Sequence, residues 1–424
     1  MAVKTCLIYL PHPYLKEPDA QAPLGLMYLA AMLEAAGLPV VLQNFSKLLT
    51  YQAIEELQEA DIYGITVTSL EIPQANRFAC LIKEKYPQSK VFIGGPGAIS
   101  SEFVDWNFID SVCIGEGEFT ILKMVEEINN LKRIYTGERI KTLDGLPFPA
   151  RHLLQGNQGG NIFAYGKHYR SSATTIILTS RGCPFNCSFC SSPKLGRGVR
   201  FRSPENVYKE IKFVKEQFGI SQFRISDDMF LADPKRALEI CKLVKELDIV
   251  WRISTRVKPF TKELAEALFA AGCKEISFGV ESFDNHVLQV LKKGTTAEDN
   301  ATACHIAKDA GMVVRILFMI RTPGQTSNTV PINIEWLEKI PYDIIACSSF
   351  VPIPGCDIWY HPENYGVEIL SRNLDDYNFY FFGRSGENLL KDVIKLDGRS
   401  LEELNAETVQ FRNYLKDTGK VNKG

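Results

Sequence analysis

The strongest constraint on this chain is a rhythm: short β-branched runs alternate with helix-period segments, twice over, as they do in parallel sheets covered by helices. In the first series five runs predict strands, Thr5 to Leu10, Val40 to Phe45, Ile62 to Thr68, Val91 to Gly94 and Ser111 to Ile114. The helices between them include Leu24 to Ala36, closed by Gly37, and Pro73 to Tyr86, closed near Pro87. This is a doubly wound, flavodoxin-like (Rossmann-like) α/β layout. From Leu131 to Ala173 the periodicity fails, and Gly145, Pro147, Pro149, Gly156, Gly159, Gly160 and Gly166 mark a linker. A second series then predicts strands over Thr174 to Thr179, Gln222 to Ser226, Val250 to Ser254, Glu275 to Val280, Val313 to Ile320 and Asp343 to Phe350. Helices such as Pro204 to Phe218, Pro234 to Leu247 and Thr261 to Ala271 lie between them. Six units suit a partial (β/α)6 TIM-type barrel with its chemistry at the carboxyl ends of the strands. A short α-rich tail follows. The expected divisions are 1–135, a linker over 136–173, a barrel over 174–355 and a substrate-capping region over 356–424.

A chain of 424 residues suits two or three such domains. Its 45% hydrophobic and 23% charged residues exclude disordered and fibrous classes. A net charge of -2 gives no bulk attraction to nucleic acid or to an anionic membrane. The longest apolar runs fall well short of the roughly 20 residues of a membrane helix, so no membrane span is expected. Met1 leads almost directly into a strand without a signal-peptide pattern, and a cytoplasmic location is expected. Eleven cysteines, an odd count, then point to reduced thiols or metal ligation rather than a disulfide framework.

Three of those cysteines, Cys183, Cys187 and Cys190, stand in a Cys-x3-Cys-x2-Cys loop just after the first strand of the second series. Three thiolates can hold three irons of a 4Fe-4S cluster, and no fourth cysteine follows within the next fifty residues, which leaves one iron open to a ligand. Structural zinc is the bland alternative, but neither a second Cys-x2-Cys knuckle nor companion histidines accompany the triplet. The motif resembles that of the radical S-adenosylmethionine (SAM) family. The resemblance implies that the open iron holds the amino and carboxylate groups of SAM, that electron transfer cleaves SAM to methionine and a 5'-deoxyadenosyl radical, and that Phe189 packs near the adenine.

The likeness extends along the second series. Asp227 and Asp228, Arg256, and Glu281 follow three successive strands at positions where the family contacts SAM. A carboxylate can meet the methionyl ammonium or the ribose, and Arg256 can meet the methionyl carboxylate. Acids there can also merely cap the next helix. Two positions depart from the family: Arg321 stands where a glycine is common, and the Pro354-Gly355-Cys356 turn lacks the usual threonine. Arg321 is expected to be a surface residue rather than an anion contact. The basic residues Lys194, Arg197, Arg200 and Arg202 read as a solvated loop or a dock for a flavodoxin- or ferredoxin-type electron donor.

At the carboxyl ends of the first series stand Thr66, Thr68 and Ser69, then Gly94, Gly95 and Gly97, then Gly115, Glu116 and Gly117. Glycines admit a large ligand to the backbone and hydroxyls offer hydrogen bonds, although turns use the same residues. With Pro23-Leu24-Gly25 opening the first helix and Leu143-Asp144-Gly145-Leu146-Pro147 preceding the barrel, the order resembles the cobalamin-binding radical SAM proteins. This implies cobalamin (B12) as a third cofactor, held by the first domain. No Asp-x-His-x-x-Gly loop supplies a cobalt ligand, and His12 reads as an ordinary loop residue. Cys6, Cys80 and Cys113 read as packing thiols, which disfavours a second cluster and a methylthiotransferase.

The leading expectation is a cobalamin-dependent radical SAM methyltransferase acting on an unactivated carbon of a small-molecule or lipid-like substrate. A non-methylating radical reaction (cyclisation, ring closure or oxidation) is the alternative, and a non-catalytic corrinoid carrier is the rival from another class. The triplet makes the first prediction. Replacing Cys183, Cys187 and Cys190 together by alanine abolishes both bound iron and reductive SAM cleavage, measured by iron analysis and 5'-deoxyadenosine release under anaerobic conditions. Unchanged iron content would refute the cluster assignment.

Overall fold

The computed structural model describes residues 2–10, 22–154, 174–196, 198–377 and 391–420. The chain forms two compact units, residues 1–160 and 161–424. The first is built on a six-stranded sheet of β1 (Thr5–Tyr9), β2 (Val40–Asn44), β3 (Ile62–Thr66), β4 (Lys90–Gly94), β5 (Ser111–Gly115) and β6 (Ile134–Gly137). All pairs are parallel, in the order β2-β1-β3-β4-β5-β6. Parallel strands need covering on both faces, which is why β1 and β3 are apolar almost throughout. One face packs Leu7, Ile62 and Phe92 under Leu26, Ala30 and Leu33 of α1 (Leu24–Ala35), with Ile121, Met124 and Val125 of the helix Glu118–Glu126 beside them. The 72–85 helix buries Phe78, Ala79 and Ile82, and Phe78 meets Phe45 with ring centroids 6.2 Å apart.

The sheet has one strand more than the five expected. β6 is a four-residue edge strand in which Tyr135 alone is buried and Ile134 is exposed, too short a run for the sequence to mark. Beyond it Leu143 and Leu146 pack against Tyr28 and Met32, and the Ala150 N–H donates to Met27 O at 3.0 Å. Residues through 154 thus fold onto α1, while 155–173, where the rest of the expected linker falls, lie outside the described residues.

The second unit contains six parallel strands in chain order: β7 (Thr174–Ile177), β8 (Gln222–Ile225), β9 (Val250–Thr255), β10 (Cys273–Glu281), β11 (Val313–Ile320) and β12 (Ile344–Ser349). This is the partial barrel expected. Side chains alternate between its faces. One set, including Phe223, Trp251, Ile276, Phe278, Val314, Ile316, Phe318 and Ile345, joins a single apolar core with the surrounding helices. The other set mixes polar and small residues with Leu317 and Met319: the register aligns Arg224 with Arg252, Ser254 with Ser277, Gly279 with Leu317, and Met319 with Ser348. The helices cover the first set, so the second lines the inside.

The floor of that interior is ionic. Glu275, fully buried, accepts from Arg252 Nη1 and Arg315 Nε, each at 3.0 Å. Burial alone would push its pKa up, but Arg315 and Arg252 outweigh that and hold the carboxyl below its usual range. The C-terminal helix, Leu401–Thr418, opens with a Ser400/Glu403 capping box and sends Phe411 and Leu415 into the barrel core. Phe411 stacks on Phe318 at 5.5 Å. Removing one partner of a buried charge group leaves the others uncompensated, so Glu275→Ala is expected to cost roughly 3 to 5 kcal/mol, read as a lower urea midpoint of the second unit. Because the folded pKa is depressed, the Glu275 contribution is present above about pH 4.5, its unperturbed value, and is lost as pH falls through the lower folded pKa. An unchanged midpoint in Glu275→Ala would show the triad to be dispensable.

Candidate functional site

The cysteine loop is an excursion from the end of β7. Ser180 and Arg181 pair antiparallel with Phe201 and Arg200, closing its stem. Beneath the stem lies Asp227, just past β8. Its carboxylate accepts from the Thr179 N–H at 2.6 Å, Thr179 Oγ1 at 2.5 Å and Ser180 Oγ at 2.6 Å. Burial pushes its pKa up, against the pull of these hydrogen bonds. Arg236 adds Nη2 to Thr179 O at 2.7 Å and Nε to Arg202 O at 2.8 Å. Arg202 in turn donates to Leu178 O at 2.8 Å and pairs with the buried Glu210. The middle of the loop is tied at Ser188, whose N–H donates to Leu291 O at 3.1 Å and whose carbonyl accepts from the Ile358 N–H at 3.2 Å.

Around this frame Cys187 is buried while Cys183 and Cys190 are partly exposed. Burial pushes the Cys183 and Cys190 thiols up in pKa. Arg256, following β9, places Nη1 3.0 Å from Cys187 Sγ and lays its guanidinium over Phe185, 3.8 Å from the ring centroid. Its Nε is buried and has no hydrogen-bond partner among the described residues. At the end of β10, Glu281 takes a positive φ of 66° where the register slips against β11, and pairs with Lys293 at 2.9 Å. The pair sits on Gly279, where a Cβ would lie 2.8 Å from Glu281 Oε1 and 2.9 Å from Lys293 Nζ, so a side chain there would displace the ends of the pair. Lys293 also stands 5.8 Å from the centre of the Phe189 ring. The fold thus brings Cys187, Phe189, Arg256 and Glu281 together. Asp228 is exposed beside the loop, 3.5 Å from Ser192 Oγ.

Three sequence assignments change. Asp227 was expected to contact SAM, yet both its oxygens are engaged by the loop stem, which makes it a support of the loop. Arg202 is neither solvated nor open to a donor protein; it is buried against Glu210. Arg321 is not a surface residue: it is buried at a φ of 58°, with Nη2 2.5 Å from Asp392 and Nη1 3.1 Å from Asn405, and so anchors the C-terminal segment. Arg236 and Glu210, which complete the stem network, lie in the helices after β7 and β8. Nothing in their spacing separates them from ordinary helix-surface charges.

In the first unit the strand order reverses between β1 and β3, which opens a crevice at their carboxyl ends. Thr68 is exposed there, while Thr66 and Ser69 are partly so, and Ser69 Oγ lies 3.0 Å from Ser100 Oγ. Gly95 has a φ of 93°, and a Cβ on it would come within 2.6 Å of Thr66 Oγ1. Gly97 is buried, with its Cβ position 2.2 Å from the Thr68 carbonyl carbon, so the close approach of two loops accounts for it without a ligand. Gly94 ends β4; Gly115 and Gly117 flank Glu116, whose carboxylate accepts from the Ile140 N–H at 2.5 Å. His12 and Arg197 lie outside the described residues.

These donor sets suit the expected groups. The three thiols of one Cys-x3-Cys-x2-Cys loop suit a four-iron cluster, which spreads its thiolates over separate irons. The open hydroxyls and glycine backbone at the crevice suit a large, mostly uncharged ligand such as cobalamin.

Comparison with known proteins agrees. The radical SAM superfamily pattern matches residues 177–337, and the B12 binding domain pattern matches residues 19–124. An uncharacterized methyltransferase of Pyrococcus horikoshii is 30% identical over 361 residues, covering 80% of this chain and 77% of that protein. The anaerobic magnesium-protoporphyrin IX monomethyl ester cyclase of Rubrivivax gelatinosus is 25% identical over 390 residues, 84% of this chain and 68% of its own. Among solved structures, the radical SAM methyltransferase TsrM of Kitasatospora setae, with cobalamin and a [4Fe-4S] cluster bound, superposes with a TM-score of 0.73 at 17% identity, covering 99% of this chain and 93% of TsrM. The chain belongs to the radical SAM superfamily, in the branch that carries a B12-binding domain. It is an enzyme whose cofactors are a 4Fe-4S cluster, SAM and cobalamin.

The revised place of Asp227 is testable. Asp227→Asn cannot accept from all three donors, and a lost hydrogen bond to a buried charged group costs about 1.5 to 3 kcal/mol. The variant is expected to hold less iron per chain after anaerobic reconstitution. Full iron with weakened SAM binding by calorimetry would return Asp227 to the SAM pocket.

Proposed function

We propose that this enzyme methylates an unactivated carbon of a small-molecule or lipid-like substrate, in a reducing, cytoplasmic setting. The observation that carries the reading is the joining, in this chain, of a three-cysteine loop with a B12-binding domain, together with its similarity to a protein named a methyltransferase. When bound, the cluster supplies the electron that cleaves SAM, and cobalamin carries the methyl group.

The chain's own residues hold and shield. Cys183, Cys187 and Cys190 are the cluster ligands of the proposal. Glu281 and Asp228 offer carboxylates to SAM, Arg256 offers the donors it does not spend on Cys187, and Phe189 offers a face for the adenine. Between the ionic floor and the charged groups at the strand ends, the inside residues Ser226, Ser254, Gly279, Leu317, Met319 and Ser348 carry no acid or base. Such a wall suits hydrogen-atom chemistry on a carbon that is neither acidic nor electrophilic, and it excludes water from a reactive intermediate. Thr66, Thr68, Ser69 and the backbone of Gly94, Gly95, Gly115 and Gly117 are the proposed cobalamin contacts. An exposed Lys194 beside the loop suits docking of a flavodoxin- or ferredoxin-type donor.

A second reading, a non-methylating radical reaction, is favoured by the similarity to the cyclase. Product mass separates the two. Anaerobically purified protein is expected to bind corrin and about four irons per chain. Given reductant, methyl-labelled SAM and an extract of small molecules, it should transfer the label into a product. Failure to bind corrin, or a product formed without label, would overturn methylation in favour of the second reading.

A further inference from the structure

We propose that Arg256 raises the reduction potential of the cluster by placing its charge on Cys187; this rests on the three cysteines being the cluster ligands. The guanidinium is 3.0 Å from Cys187 Sγ, and both residues are buried, with 8% and 9% of their surface exposed. Little water screens the contact. Phe185, from the same loop, holds the guanidinium in place from 3.8 Å.

Arg256 differs from five other buried cations in having no counter-ion among the described residues. Arg202 pairs with Glu210, Arg252 and Arg315 with Glu275, Arg321 with Asp392 and Lys293 with Glu281. Among the described residues no carboxylate pairs with Arg256, so its nearest source of negative charge is the cysteine sulfur. Reduction adds one electron to the cluster, and a cation hydrogen-bonded to a ligating sulfur stabilises the more negative, reduced state. Arg256 therefore has a role before SAM arrives, distinct from any contact with the methionyl carboxylate.

The test is a redox titration of the anaerobically reconstituted full chain without SAM, poised with a low-potential chemical reductant and mediators and followed by electron paramagnetic resonance of the reduced cluster. Arg256→Met keeps an unbranched, flexible side chain and removes the charge. It is expected to disfavour reduction at least tenfold, a fall in midpoint of about 59 mV or more for a one-electron couple. Arg256→Lys keeps the charge and should fall by less than half as much. Phe185→Leu removes the face that steadies the guanidinium and should give a smaller shift in the same direction. Iron content is measured on every sample. The proposal is overturned if Arg256→Met retains iron with the parent's midpoint, or if Arg256→Lys shifts as far as Arg256→Met. Should Arg256→Met fail to hold iron, a parental midpoint in Phe185→Leu overturns it equally. Absence of a four-iron cluster in the parent protein itself would instead refute the reading of the three cysteines.

Discussion

A loop that must hold three thiols over separate irons has only a two-residue ladder at its stem, so its shape is set by what its stem and middle are tied to. In this protein the stem is tied by one buried carboxylate. Asp227 gathers Thr179 and Ser180, and Arg236, Arg202 and Glu210 lock the returning strand against the same point. Buried charge is tolerated because each carboxylate in the group meets donors and the arginines also reach backbone carbonyls. The positions of Cys183, Cys187 and Cys190 depend on this group and on the tether at Ser188.

The barrel supplies the other condition. Its helices need an apolar face, and the strands give them the outer one, which leaves the inner face free to carry other chemistry. Charge on that face is graded along the strands. At the amino end of β10 and β11 Glu275 neutralises Arg252 and Arg315, while at the carboxyl ends Glu281 and Lys293 pair above Gly279 and Arg256 turns to a sulfur. The residues between them are small or neutral. Stability resides at the bottom and reactivity at the top, as expected of parallel barrels, where the loops at the carboxyl ends are the ones free to vary.

The alternation of strands and helices, the Cys-x3-Cys-x2-Cys spacing and the residues at strand ends were all legible in the sequence, because each is a local pattern: a period, a spacing or a residue next to a boundary. That is why the two sheets and the cluster loop could be read directly, along with Phe189, Arg256 and Glu281 near it. The sixth strand, Ile134–Gly137, was not legible, because four residues at a sheet edge, with Tyr135 alone buried, are too short a run to set a period. Nor could spacing tell Arg202 from Lys194 in the same basic run, though one is buried and the other exposed.

What only the tertiary structure decided is which charge meets which. Asp227 and Asp228 are adjacent and chemically identical, yet one supports the loop stem and the other is exposed beside it. Arg321, 84 residues from its partner Asn405, is an anchor only because the C-terminal segment returns to it. Electrostatic and hydrogen-bonding roles follow distance and burial, which depend on how strands distant in sequence are brought together. The sequence by itself therefore determined the architecture and the cofactor-bearing loop, and the packing of distant elements determined the work of each charged side chain around it.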